Sequence, residues 1–89
     1  AEEEFSKYNF ELANTENLFK NFDMVEKEAK ALIENKLSLP AYDQCLKASH
    51  LFNILDARGV ISVAQRAEYI SRIRDIVKGV GKVWLESQK

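Results

Sequence analysis

The sequence predicts an all-α protein, a three-helix bundle preceded by an irregular N-terminal arm. Its 89 residues suit one small domain, and 46% of them are hydrophobic, which is enough to form a core. Most of these apolar residues recur at steps of three and four, the spacing that places side chains on one face of a helix. Three glycines and one proline interrupt the pattern at few places.

The irregular arm is predicted at residues 1–13. Its apolar residues Phe5, Tyr8, Phe10 and Leu12 follow no clear period, so we expect irregular structure that packs against something through Tyr8 and Phe10. The chain starts on an acidic stub without an initiator methionine. That start favours a piece cut from a longer chain.

The first helix is predicted at about residues 15–36, within a bundle that spans residues 14–89. Asn14 or Thr15 is a suitable N-cap, because either side chain can accept a hydrogen bond from a free backbone N–H group. The residues predicted to face the core are Leu18, Phe22, Val25, Ala29 and Leu32.

Two further helices complete the predicted bundle. The second helix is expected at about residues 40–57, with Pro40 in its first turn, where proline is well tolerated. Its predicted core face is Ala41, Cys45, Ala48, Phe52 and Leu55, widened by a second row of Tyr42, Leu46 and Ser49. The third helix is expected at about residues 63–86, with a predicted core face of Val63, Ala67, Ile70, Ile73, Val77, Val80 or Gly81, and Trp84.

A charged corner joins the second and third helices. Gly59 is expected to end the second helix in the left-handed conformation, and Ser62 is expected to cap the third helix together with Gln65. Arg66 falls among apolar positions, where an unpaired buried charge is costly, so we expect an ion pair with Asp56 that locks the corner. Direct contact of Arg66 with RNA or a substrate is the alternative.

Basic side chains are the candidates for contact with RNA or a partner protein. Residues 1–34 hold nine acidic and four basic residues, whereas residues 63–89 hold three acidic and six basic ones. Arg74, Lys78 and Lys82 lie four apart and form a basic ridge, which is either a solvated face or a contact with a nucleic-acid backbone. Arg72 points elsewhere, and Arg58 either caps the second helix or reaches a phosphate. The candidate contacts are therefore Arg58, Arg72, Arg74, Lys78 and Lys82.

The residue inventory offers no catalytic, cofactor-binding or metal site. His50 is the only histidine and Cys45 the only cysteine, and no carboxylates cluster at ligand spacing, so zinc is not expected. The sequence has neither a glycine-rich phosphate loop nor a nucleophile elbow. A single cysteine, no signal peptide and no apolar run of membrane length favour a soluble cytoplasmic protein without a membrane partner.

Much of the chain resembles a known family. Residues 39–74, and above all the corner at residues 55–63, resemble the C-terminal helical region of the alpha subunit of bacterial heterotetrameric glycyl-tRNA synthetase. The similarity extends to residues 8–11 and 83–87 and therefore covers nearly the whole chain. Ala64 and Gln65 stand where many relatives have Thr and Glu, and the glutamine still completes the helix cap.

The resemblance implies a parent enzyme that is a class II aminoacyl-tRNA synthetase, a ligase that uses ATP with magnesium to join glycine to tRNA. The implied partners are the rest of the alpha subunit, the beta subunit and glycine tRNA. In the family the catalytic sheet precedes the similar region, so this segment is expected to lack the catalytic core and to bind no cofactor itself. The arm is then the junction to the missing catalytic domain. The expected role is subunit assembly or docking of the tRNA acceptor end, and the alternative is a structural buttress or a generic protein-interaction module.

Overall fold

A computed structural model describes residues 1–88, and the regular structure in that range is helical. The elements are α1 (Glu2–Lys7), a π-helical turn (Tyr8–Leu12), α2 (Thr15–Glu34), α3 (Ser38–Ala57) and α4 (Val63–Ser87). The all-α class and the bundle of long helices are therefore confirmed. Each long helix begins and ends within two residues of its expected bounds.

The N-terminal arm is helical, and the prediction of an irregular segment was wrong. Three glutamates occupy the first turn of α1, where carboxylates interact favourably with the positive end of the helix. Neither α1 nor the π-helical turn contains a buried residue. Because neither α1 nor the π-helical turn enters the core, their sequence shows no core-facing row, and the missing row was misread as irregular structure. That the arm is a junction to a further domain stays a prediction.

The core lies between α2, α3 and α4, and its largest fully buried side chains are Phe22, Ile54, Leu55 and Ile76. Helix α2 buries Leu18, Phe22 and Ala29 from its expected face, and α3 buries Ala41, Cys45, Ala48, Ile54 and Leu55. Tyr42 and Leu46, which were expected to widen the buried face of α3, are instead half exposed. Helix α3 therefore presents an apolar row to the outside of the bundle.

Helix α4 packs through a different row from the expected one. Its buried row is Tyr69, Ile76 and Val83, with Ile73 and Val80 partly buried beside it. The expected row was wrong in Val63, Ala67, Val77 and Trp84, which are exposed, and right in Ile73 and Val80. Both rows are apolar and helically spaced, so periodicity could not choose between them. The ring of Tyr69 packs edge-on against Phe22 with 4.8 Å between the ring centres, and this contact turns the Tyr69 row inward.

The helix ends have specific caps. Asn14 caps α2 through its side-chain oxygen, and Ser62 and Gln65 form both hydrogen bonds of a capping box at the start of α4. Gly59 has a φ of 70°, and the N–H groups of residues 59 and 60 bond back to the last turn of α3 in a Schellman arrangement. At the end of α2 the same left-handed position is held by Lys36, with a φ of 62°.

Candidate functional site

The corner between α3 and α4 contains the expected ion pair. Both Nε and Nη2 of Arg66 donate to Oδ1 of Asp56, at 3.1 and 2.7 Å. The Arg66 side chain is 48% exposed, so it does not face the core as its position in the sequence suggested. An exposed pair of this kind contributes little to stability. The corner is therefore held mainly by the left-handed Gly59 and the capping box at Ser62.

Arg58 has an internal role that the sequence did not indicate. Its Nη1 donates to the backbone oxygen of Ala13 at 2.8 Å and to that of Asn9 at 3.4 Å. These carbonyls end the N-terminal arm, where a cation is favoured because the last carbonyls of a helix have no partner within it. Arg58 therefore ties the arm to the end of α3, rather than capping α3 itself or reaching into solvent.

Arg72 joins α4 to α2. Its guanidinium donates to both carboxylate oxygens of Glu26, and Nη2 also reaches Oδ1 of Asp23 at 2.7 Å. The guanidinium carbon lies 4.8 Å from the ring centre of Phe22 and 4.9 Å from that of Tyr69, so it also makes cation–π contacts. The hydrogen bonds between Arg72 and Glu26 lower the pKa of the carboxyl group and raise the pKa of the guanidinium. The Arg72 guanidinium is therefore occupied by contacts within the bundle.

The basic ridge of Arg74, Lys78 and Lys82 is exposed along α4. Within residues 1–88, none of these three side chains lies within 4 Å of a carboxylate. Among the other described lysines, Lys20 and Lys47 each pair with a carboxylate one turn away on their own helix, whereas Lys7 and Lys27 are also without a carboxylate within 4 Å. The ridge cations therefore make no direct ion pair within the described residues, and Glu86 is the acidic residue that lies beside Lys78 and Lys82.

An apolar cleft lies between α3 and α4, beside the basic ridge. It encloses about 370 Å³, and its lining residues are Ser38, Leu39, Tyr42, Cys45, Val77, Val80, Gly81 and Trp84. The walls are open to solvent, because Leu39 is 74% exposed and Val77 and Trp84 are about half exposed. Cys45 forms the floor, where burial raises the pKa of its thiol and disfavours the reactive thiolate.

The sequence interpretation missed this cleft because it assigned the cleft residues to the core. On α4 the row Val63, Ile70, Val77 and Trp84 repeats every seven residues, and on α3 the row Leu39, Tyr42 and Leu46 steps by three and four. Each helix thus carries two apolar rows, and one row of each is left facing outward. The second apolar row on each helix could have indicated the cleft from the sequence, since a helix that buries one face needs only one apolar row.

Metal-binding side chains do not cluster in the described part of the chain. Within residues 1–88, no three His, Cys, Asp or Glu side chains come together in a way that could hold a metal ion. His50 lines only a shallow depression beside α2. Among the same residues, no helix combines the length and hydropathy needed to cross a membrane.

Comparison with known protein families gives one match over the whole chain. The family model described as glycyl-tRNA synthetase alpha subunit matches residues 1–89. The match covers the arm, the three long helices, the cleft and the basic ridge together.

Proposed function

We propose, because this chain belongs to the glycyl-tRNA synthetase alpha subunit family, that it is a helical assembly module through which the alpha subunit holds the beta subunit. The family's parent enzyme is a ligase, and the alpha subunit of this heterotetrameric enzyme works with a beta chain. The observation that carries the proposal is the open apolar cleft between α3 and α4. Exposed apolar surface of this kind is typical of protein-docking sites.

The chemistry of the cleft favours a protein partner. Tyr42 and Trp84 are each about half exposed at its walls, and these residue types dominate the binding energy of protein interfaces. Trp84 is the only tryptophan in the chain, so its position at this wall places the largest apolar side chain where a partner can cover it.

Docking of the tRNA acceptor end is the second candidate, and the unpaired basic ridge favours it. Phosphate contacts need cations that are free to reach the nucleic-acid backbone. Arg58 and Arg72 already make contacts within the chain. The candidate residues that remain for phosphate contacts are those of the ridge, Arg74, Lys78 and Lys82. Three cations on a chain with a net charge of −1 make a weaker argument than an open cleft with a tryptophan in its wall.

The N-terminal arm supports a buttressing role that is compatible with assembly. Phe5, Tyr8, Phe10 and Leu12 are all exposed on the arm, and exposed apolar side chains grouped in this way are expected to pack against the rest of the alpha subunit. ATP and magnesium would bind to other parts of the parent enzyme. The chain would then support attachment of glycine to tRNA without taking part in the chemical step.

A binding titration tests the assembly role. The chain would be titrated with purified beta subunit and, separately, with glycine tRNA, each from about 50 to about 500 mM salt. Assembly predicts saturable binding to beta that weakens little with salt, because packed apolar surface is not screened. Three phosphate contacts would instead give tRNA binding with a logarithmic salt slope of about −2 to −3.

The outcomes separate the three roles. Binding to beta alone supports the assembly module. Salt-steep binding to tRNA without binding to beta contradicts it and assigns the ridge to RNA. If the chain binds neither, the buttressing role is what remains.

A further inference from the structure

We propose that the cleft between α3 and α4 receives an amphipathic helix of the beta subunit, one that carries large apolar side chains beside an acidic edge. This inference rests on the proposed assembly function, because it names the place and the chemistry of that contact. It is carried by three separate features of the described residues: the two outward apolar rows, an unfilled glycine, and the unpaired basic ridge.

The two outward rows suit a helix rather than a loop or a strand. On α4, Ile70, Val77 and Trp84 recur every seven residues, the repeat that keeps a row facing a neighbouring helix over successive turns. Val77 and Trp84 are about 10 Å apart along the helix axis, two turns of an α-helix. The α3 wall, Leu39 and Tyr42, lies across the cleft from them. A groove with apolar walls between two helices commonly binds the apolar face of a third helix.

Gly81 marks where the partner approaches closely. A side-chain carbon added at Gly81 meets no atom within 4 Å, whereas one added at Gly79 lies 2.8 Å from Ile33. The side chain of Ile33 thus fills the space beside Gly79, but nothing in the described chain fills the space beside Gly81. Glycine weakens a helix interior relative to alanine, so its presence at the edge of the cleft is explained if the backbone of a partner helix passes there.

The basic ridge sets the charge of the partner. Gly81 borders both the cleft and an adjoining depression that Lys78, Lys82, Leu85 and Glu86 also line. Two cations of the ridge, Lys78 and Lys82, therefore lie beside the cleft. Within residues 1–88 these cations have no carboxylate partner. A docked helix with acidic residues along one edge would neutralise them, which aids encounter and fixes the orientation of the helix.

A glycine replacement tests the site without weakening the fold. Gly81→Gln raises helix propensity while placing a side chain in the path of the partner. We expect the variant to melt at or above the temperature of the unmodified chain and to bind purified beta subunit about tenfold or more weakly. Met24→Ala is the control, since Met24 is also exposed but lies on α2 and outside the cleft, and it should bind as the unmodified chain does.

A charge reversal tests the acidic edge. Lys78→Glu should weaken binding to beta about five- to tenfold at about 50 mM salt and less at about 500 mM salt, because salt screens exposed charges. Lys27→Glu, which reverses an exposed lysine on α2, should change the affinity less than about twofold. The chain's only tryptophan supplies a direct readout: with 5-fluorotryptophan at position 84, the fluorine resonance should shift on saturation with beta.

Several results would overturn the inference. If beta binds the unmodified chain but Gly81→Gln and Lys78→Glu bind equally well, the assembly role stands and the cleft is the wrong site. If beta does not bind the unmodified chain at all, the assembly role itself fails. A dimer of the chain alone that Gly81→Gln abolishes would assign the cleft to a second copy. Loss of tRNA binding in Lys78→Glu, with beta binding intact, would assign the ridge to RNA.

Discussion

Replacing Arg72 with alanine should cost more stability than any other change of a basic side chain in the chain. The substitution removes the hydrogen bonds to Glu26 and leaves this carboxylate, 13% exposed, with only the ammonium group of Lys30 at 3.9 Å. A hydrogen bond between charged groups contributes about 1.5–3 kcal/mol, and the cation–π contacts with Phe22 and Tyr69 add about 0.5–1 kcal/mol. The bond to Asp23 is discounted, because that carboxylate is 65% exposed.

We therefore expect Arg72→Ala to lower the free energy of unfolding by about 2–4 kcal/mol. In a domain of this size the loss corresponds to a melting temperature lower by about 10–30 °C. Urea unfolding followed by circular dichroism measures the free energy, and a thermal melt measures the temperature. Arg72→Lys should lose roughly half as much, because lysine keeps the charge but not the planar fork that binds both carboxylate oxygens.

Arg74→Ala is the matched control for this experiment. Arg74 lies two residues further along the same helix, is exposed and has no carboxylate within 4 Å among residues 1–88, so its replacement should change stability by less than about 0.5 kcal/mol. If Arg72→Ala costs no more than Arg74→Ala, the assigned role of Arg72 is refuted.

The same contact predicts a pH dependence. Arg72 holds the pKa of Glu26 in the folded chain below its ordinary value of 4.5, chiefly through the hydrogen bonds between them. A carboxyl group whose folded pKa is lowered contributes stability that is fully present above its unfolded pKa and is lost as pH falls through the folded pKa. The stability difference between the unmodified chain and Arg72→Ala should therefore be constant near neutral pH and shrink below about pH 4.5.

Further predictions concern backbone positions and the thiol. Gly81→Ala should raise the free energy of unfolding by about 0.5–1 kcal/mol, whereas Gly79→Ala should gain less because Ile33 must move away from the new side chain; urea midpoints compare the two. Lys36→Gly should raise it by about 1 kcal/mol, because its left-handed backbone is strained for a side chain and its ion pair is exposed. Cys45 should react with a chromogenic disulfide at pH 8 far more slowly than free cysteine does, and should react readily only in denaturant, since burial raises its pKa.

The local features of the fold followed from neighbouring residues in the sequence. Asn14, Ser62 and Gln65 cap helices through hydrogen bonds that span three residues, and Gly59 adopts the left-handed backbone that its own lack of a side chain permits. The ion pair of Asp56 with Arg66, across a short corner, was also within reach of the sequence. Contacts between residues far apart in the sequence could not be predicted from it. Arg72 meets Glu26 across 46 residues of chain, and nothing in the local pattern connects them.

By itself, then, the sequence determined the all-α class, the three long helices and their ends, because those depend on interactions between residues a turn or less apart. The tertiary structure decided which apolar row of α4 enters the core. Tyr69 and Trp84 lie on two rows that are both apolar and helically spaced, and only packing against Phe22 distinguishes them. That rotation leaves the other row outside, creates the cleft with α3 and places Lys78 and Lys82 beside it. The surface proposed to bind the beta subunit is thus a consequence of how the helices turn against one another, which no single segment of the sequence specifies.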